Sequence, residues 1–135
     1  MFDTKFVIVV REDLAQWQKL NVTAFLATGV AGAVEGLLGE DYRDGAGNVY
    51  HPISAQPIIV LCGDGDTLKK VQTRALERDV AAALYIEEMF STGHDAANRA
   101  VFADFSPEDA KVVGIAFRAE KKIADKITKG AKMHP

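Results

Sequence analysis

A chain of 135 residues fits one domain and can bury a continuous core without disulfide or metal staples. Its formal net charge of −3 weighs against a nucleic-acid partner, because neutralising phosphates takes clustered lysine and arginine. The single cysteine, Cys62, excludes an intramolecular disulfide, and no run approaches the ~18 apolar residues of a membrane span. The apolar run after Asp3 is too short for a signal-peptide core, so the chain is read as cytoplasmic.

Phe6–Val10 is a continuous, β-branched apolar run, the pattern of a strand covered on both faces. A charged loop follows. Val22, Phe25, Leu26, Val30, Val34, Leu37 and Leu38 then step by three and four, which predicts an amphipathic helix ending at Gly39. Gly29, Gly32 and Gly36 weaken that helix intrinsically and imply close backbone approach. Asp44-Gly45 and Gly47-Asn48, between Tyr42 and Tyr50, predict a hairpin-like excursion closed by Pro52. Pro57–Leu61 reads as a second buried strand. Asp64 or Asp66 can cap a helix whose Leu68, Val71, Ala75 and Leu76 face the core.

Ala81–Ile86 reads as a third strand, Asp95–Phe105 as a helix, and Val112–Phe117 as a fourth strand. Ala119–Lys129 is a last helix, with Ala119, Ile123 and Ile127 on one face and Gly130 as its stop. Alternating buried strands and helices imply a three-layer α/β/α domain around a mixed, mostly parallel four-stranded sheet.

VIVVREDL, followed by a loop and a small-residue helix, resembles the opening of type II peptidyl-tRNA hydrolases, as do the element order and the terminal ADKITKGAKMHP. WQKLNVTAFLATG, YIEEMFSTGHDAANRA and KMHP resemble more closely a bacterial family, domain of unknown function 2000, regarded as sharing that hydrolase fold. The close resemblance spans almost the whole chain; the one to the hydrolases is fold-level, with specific residues around two loops. It implies a peptidyl-tRNA hydrolase II-like domain. The hydrolases' catalytic lysine, glutamine and histidine fall at Asn21, Phe25 and Thr28, whereas their aspartate and threonine fall at Glu88 and Thr92. Arg11 and Asp13 correspond directly. The half of the site that holds a cation is therefore missing, and an asparagine amide cannot supply that charge.

Each residue also has a structural reading. Asn21 suits a helix N-cap, and Arg11 and Asp13 suit a pair across the strand-to-helix turn. Glu87 and Glu88 leave the third strand on opposite faces, with Glu88 taken to look into a cleft at the strand ends. Thr92 or Asp95 can cap a helix and His94 can make a local bond, while His94 is also the one histidine placed for proton transfer near that cleft. Cys62 reads as a buried thiol, and Lys70, Arg74 and Arg78 as a solvated basic stripe. His51, His94 and His134 lack metal-ligand spacing, so neither metal nor cofactor is expected.

The reading that follows is a binding or regulatory module for a small polar or nucleotide-like ligand. Its cleft lies among Arg11, Asp13, Asn21, Glu88 and Thr92. The alternatives are a diverged hydrolase with Glu88 as base, Thr92 and Asn21 positioning substrate and His94 carrying a proton, and a homodimer built on the glycine-lined helix.

Overall fold

The computed structural model describes residues 2–135. In chain order it has β1 (Thr4–Arg11), α1 (Gln16–Ala33), β2 (Tyr42–Arg43), β3 (Val49–Tyr50), β4 (Ile58–Gly63) and α2 (Gly65–Glu77). There follow β5 (Ala83–Ile86), a 3-10 turn (Glu87–Ser91), α3 (Asp95–Phe102), β6 (Val112–Glu120), α4 (Lys121–Ile127) and β7 (Lys132–Met133). Five strands form one mixed sheet in the order β5-β6-β1-β4-β7, and β2 and β3 form the separate hairpin.

The sheet differs from the expected one in number and direction. Only β1 and β4 pair in parallel; β6 runs antiparallel to both β1 and β5, and β7 antiparallel to β4. A strand buried on both faces is an apolar run in either direction, so the sequence of β6 carries no sign of its orientation. The fifth strand pairs Leu61 with Met133 and Cys62 with Lys132, and two residues carry no periodic signal. The first and third predicted strands are not neighbours either, since β6 lies between β1 and β5.

Strand alternation divides the core. Phe6, Ile8 and Val10 pack with Val22, Leu26 and Val30 of α1 on one face. Val7, Val9, Ile115 and Phe117 pack with Leu68 and Val71 of α2 and Ile127 of α4 on the other. Helices thus cover both faces. Gly114 permits the closest approach: a Cβ there would lie 2.5 Å from Val22 Cγ1 and 2.8 Å from Leu26 Cδ1.

Helix bounds depart from expectation in instructive ways. α1 starts at Gln16, with the Gln18 side chain accepting the Ala15 N–H at 3.0 Å, so Asn21 sits inside the helix and not at its cap. It ends at Ala33, six residues before Gly39, and Gly36 beyond it takes a left-handed φ of 78°. Leu38 then bridges Ser54, tying the hairpin excursion to the domain. A Cβ on Gly29 would meet Ala83 Cβ at 2.9 Å, so this glycine serves packing of α1 on its own sheet.

Asp64 caps α2 by accepting the Thr67 N–H at 2.8 Å. Leu76 is exposed, not buried as its spacing implied, because the helix turns Gln72 and Ala75 inward. α3 stops at Phe102, where Phe105 leaves in a turn, and α4 is the shorter Lys121–Ile127.

Candidate functional site

Arg11 closes β1 at the carboxyl end of the parallel pair, where a charged side chain leaves the apolar sheet. Its Nε donates to Asp13 Oδ1 at 2.6 Å and its Nη1 to Glu87 Oε2 at 2.8 Å. Partial burial pulls the guanidinium pKa down, but the hydrogen bonds and charges of Glu87 and Asp13 outweigh it, and the net direction is up. The three side chains therefore form a fixed, charged clasp between the exits of β1 and β5. Glu87 is the member that periodicity alone did not single out. Both Arg11 and Glu87 follow an apolar run directly, and strands leaving the sheet at one end bring such charges together.

Beside this clasp runs a groove of about 1270 Å³ between α1, edge strand β5 and α3. Four aromatic rings are its most distinctive lining. Trp17 meets Phe90 edge-on at 5.9 Å between centroids, Phe90 lies 5.2 Å from Tyr85, and Tyr85 lies 6.1 Å from Phe25. Tyr85 is buried and burial pushes its phenol pKa up, whereas Trp17 and Phe25 are 61% and 55% exposed. Two inner rings thus support two outer ones that remain more than half exposed.

The polar side chains of the groove come from α1, α3, β6 and the segment just before α3. Asn21 projects from α1, one turn before Phe25. Asn98 and Arg99 come from α3, and Arg118 from β6, with its Nε donating to the side-chain Oε1 of the buried Gln56 at 2.9 Å. Thr92 lines the groove, donating its hydroxyl to the Met89 carbonyl at 2.8 Å and contacting the Asn98 carboxamide. His94 caps α3: its Nδ1 accepts the Ala97 N–H at 3.2 Å. That bond gives the neutral ring its proton on Nε2.

The sequence-selected residues accordingly fall into two groups. Asn21, Thr92 and His94 share the groove, while Arg11 and Asp13 belong to the charged clasp. Glu88 does not line the groove, and among the described residues its buried Oε2 has no hydrogen-bond partner. Cys62 is buried in the core. Arg74, unlike the solvated stripe expected of it, donates to the Ile127 and Lys129 carbonyls at 3.3 and 2.7 Å and so holds the end of α4. Among the described residues no three His, Cys, Asp or Glu side chains gather as metal ligands would, and no helix is long and apolar enough to cross a membrane.

Trp17, Tyr85 and Phe90 escaped the sequence reading as site residues. An aromatic at helical or strand spacing is ordinarily core, and only the early start of α1 turns Trp17 outward onto Phe90.

A solved structure of a protein of unknown function from Agrobacterium tumefaciens is 62% identical to this chain, with a TM-score of 0.98 and complete coverage of both chains. No functionally curated protein matches. The family model for a protein of unknown function, DUF2000, matches residues 4–135, almost the entire length that carries the sheet, the clasp and the groove. The chain belongs to the DUF2000 family.

Proposed function

We propose that this protein is a small-ligand-binding module that takes a planar, nucleotide-like ring in the groove between α1, β5 and α3. The observation that carries this reading is the pair of half-exposed rings of Trp17 and Phe25, in contact with Phe90 and Tyr85. Leaving large aromatic faces in water forgoes apolar burial, and a flat ligand recovers it by stacking. Asn21 and Asn98 supply amides for the polar part of such a ligand, and Arg99, its Nε paired with Asp95 at 2.8 Å, lines the same groove.

The relation to the type II peptidyl-tRNA hydrolase fold is part of the same proposal. Asn21, Phe25 and Thr92 stand where that resemblance puts catalytic lysine, glutamine and threonine, and all three line the groove. A binding cleft kept while its cation is lost accounts for that pattern. Hydrolysis has less support, because Glu88 does not line the groove and the Thr92 hydroxyl is spent on the Met89 carbonyl.

Trp17 is the chain's one tryptophan, so its fluorescence reports this groove alone. Titration with purine and pyrimidine nucleosides and nucleotides should give saturable quenching by at least one class. Phe25→Ala should weaken that binding about tenfold, within the ~1–3 kcal/mol of base–aromatic stacking. A panel that leaves Trp17 unchanged throughout, or a ligand indifferent to Phe25→Ala, would overturn the reading.

A further inference from the structure

β5 is an edge of the sheet and pairs with β6 alone. In an antiparallel ladder every second residue turns its N–H and C=O away from the partner strand. Two bonds fix which residues do so here. Glu87 N–H donates across to the Lys111 carbonyl at 2.9 Å, whereas Ile86 N–H turns to Met89 Sδ at 3.4 Å. Ala82 and Leu84 share the parity of Ile86, so their main-chain groups face outward from the sheet. Among the described residues no backbone group bonds to the Ala82 N–H or carbonyl, and Ala82 is exposed. Proteins ordinarily blunt such an edge with a charge, a proline or a covering element. Val80–Ile86 carries no charge and no proline.

The nearest element leaves the edge open. α3 rests chiefly on the 3-10 turn and stands across a trough from β5. Val80, Ala81, Ala82, Leu84 and, on α3, Phe102 line both the aromatic groove and a second cavity of about 330 Å³ toward α2. The two spaces therefore meet around the outward edge of β5. Successive side chains of a strand laid along that edge would point alternately into one and the other. Both would receive them on apolar walls, with Phe25 and Tyr85 in the groove and Leu76 and Phe105 in the cavity. Charge gives no preference for an ion: Asp79 and Asp95 offset Arg99 and Arg118 in the groove, and no charged residue lines the cavity. The α3 wall leaves the trough to a single segment. A second copy would have to bring up a β5 edge fronted by its own α3.

We propose that the β5 edge binds an uncharged, apolar peptide segment by strand addition, between β5 and α3. The outward N–H and C=O groups of Ala82 and Leu84 choose the occupant, since an extended backbone repeats donor and acceptor at that spacing. The segment shares the groove with the ring site, but the proposal rests on the strand edge and stands whether or not a ring stacks on Trp17 and Phe25.

The probe is an acetylated, amidated peptide with a core of five valines between pairs of lysines. Titrated into the full-length protein labelled with nitrogen-15, it should shift the Ala82 and Leu84 amides saturably and slow their exchange. N-methylation separates strand addition from apolar contact. Methylating alternate valines leaves one edge of the peptide free, and this form should still bind. Methylating all five removes the donors from both edges and should weaken binding at least about tenfold, the worth of two ordinary hydrogen bonds. Ala82→Pro, which removes an outward N–H outside the β5–β6 ladder, should weaken the unmethylated peptide about fivefold. Should that variant fail to fold, the methylation series on the unmodified protein decides. Absent or unsaturable shifts at Ala82 and Leu84, or full methylation that leaves affinity unchanged, would overturn the proposal. Ala82 and Leu84 amides already protected without peptide, increasingly so with protein concentration, would give the edge to a second copy and overturn it too. The readouts are separate: these two amides report the strand, and quenching of Trp17 by nucleotides reports the ring.

Discussion

Asp44 organises the turn between β2 and β3 by accepting from Asn48 Nδ2, the Asn48 and Ala46 N–H groups and the Tyr50 hydroxyl, at 2.9–3.0 Å. These bonds, those from Asn48 foremost, lower its pKa from the ordinary 3.8 to about 2. A depressed carboxyl pKa favours the folded hairpin fully above 3.8, and the contribution is lost as pH falls toward 2. A carboxyl-carbon NMR titration should accordingly place Asp44 near 2, with hairpin contacts loosening below that pH. A midpoint near 3.8 would show that the network does not persist in solution. The residue scale also marks how far sequence reading reaches. Arg11 and Asp13, two apart at a strand exit, were legible as a pair, whereas Glu87 arrives from 76 residues away. Which of Glu87 and Glu88 faces the clasp depends on how the 3-10 turn winds after β5, and adjacent glutamates do not encode that.

α1 shows why an element can be recognised and still be misplaced. Val22, Leu26 and Val30 step along its buried side, so the helix was legible. Its first turns were not, because Trp17, Leu20 and Phe25 put apolar groups on the exposed side and erase the contrast between faces. The same helix presses against Gly114, which gives a prediction of opposite signs at two glycines. Gly114→Ala would drive a methyl into Val22 and Leu26, and should destabilise by about 1–3 kcal/mol in chemical denaturation. Gly32→Ala, near the end of α1 with nothing within 4 Å of the added carbon, should be neutral or stabilise by up to ~1 kcal/mol. Equal effects at the two positions would mean that α1 does not sit this close to β6.

At the scale of the molecule, stability is distributed unevenly around the sheet. β1 is central, and Phe6–Val10 are at most 2% exposed. The apolar runs made this core legible, but the order β5-β6-β1-β4-β7 was not, since pairing is set by how crossovers pack and not by any one strand's composition. At the far edge, α3 has no buried residue and rests chiefly on the 3-10 turn beside β5. Local opening of such a segment exposes little apolar surface, whereas freeing β1 requires unfolding the whole sheet. Amide hydrogen exchange should therefore release α3 first and β1 last. Asn98 and Arg99 of α3 line the aromatic groove, so a ligand bound there as proposed would favour closed α3 over open; its binding should slow α3 exchange while leaving β7, at the opposite edge, unchanged. Protection of α3 equal to that of β1 would remove the premise. A groove ligand that leaves α3 exchange untouched would show that it binds α1 and β5 alone.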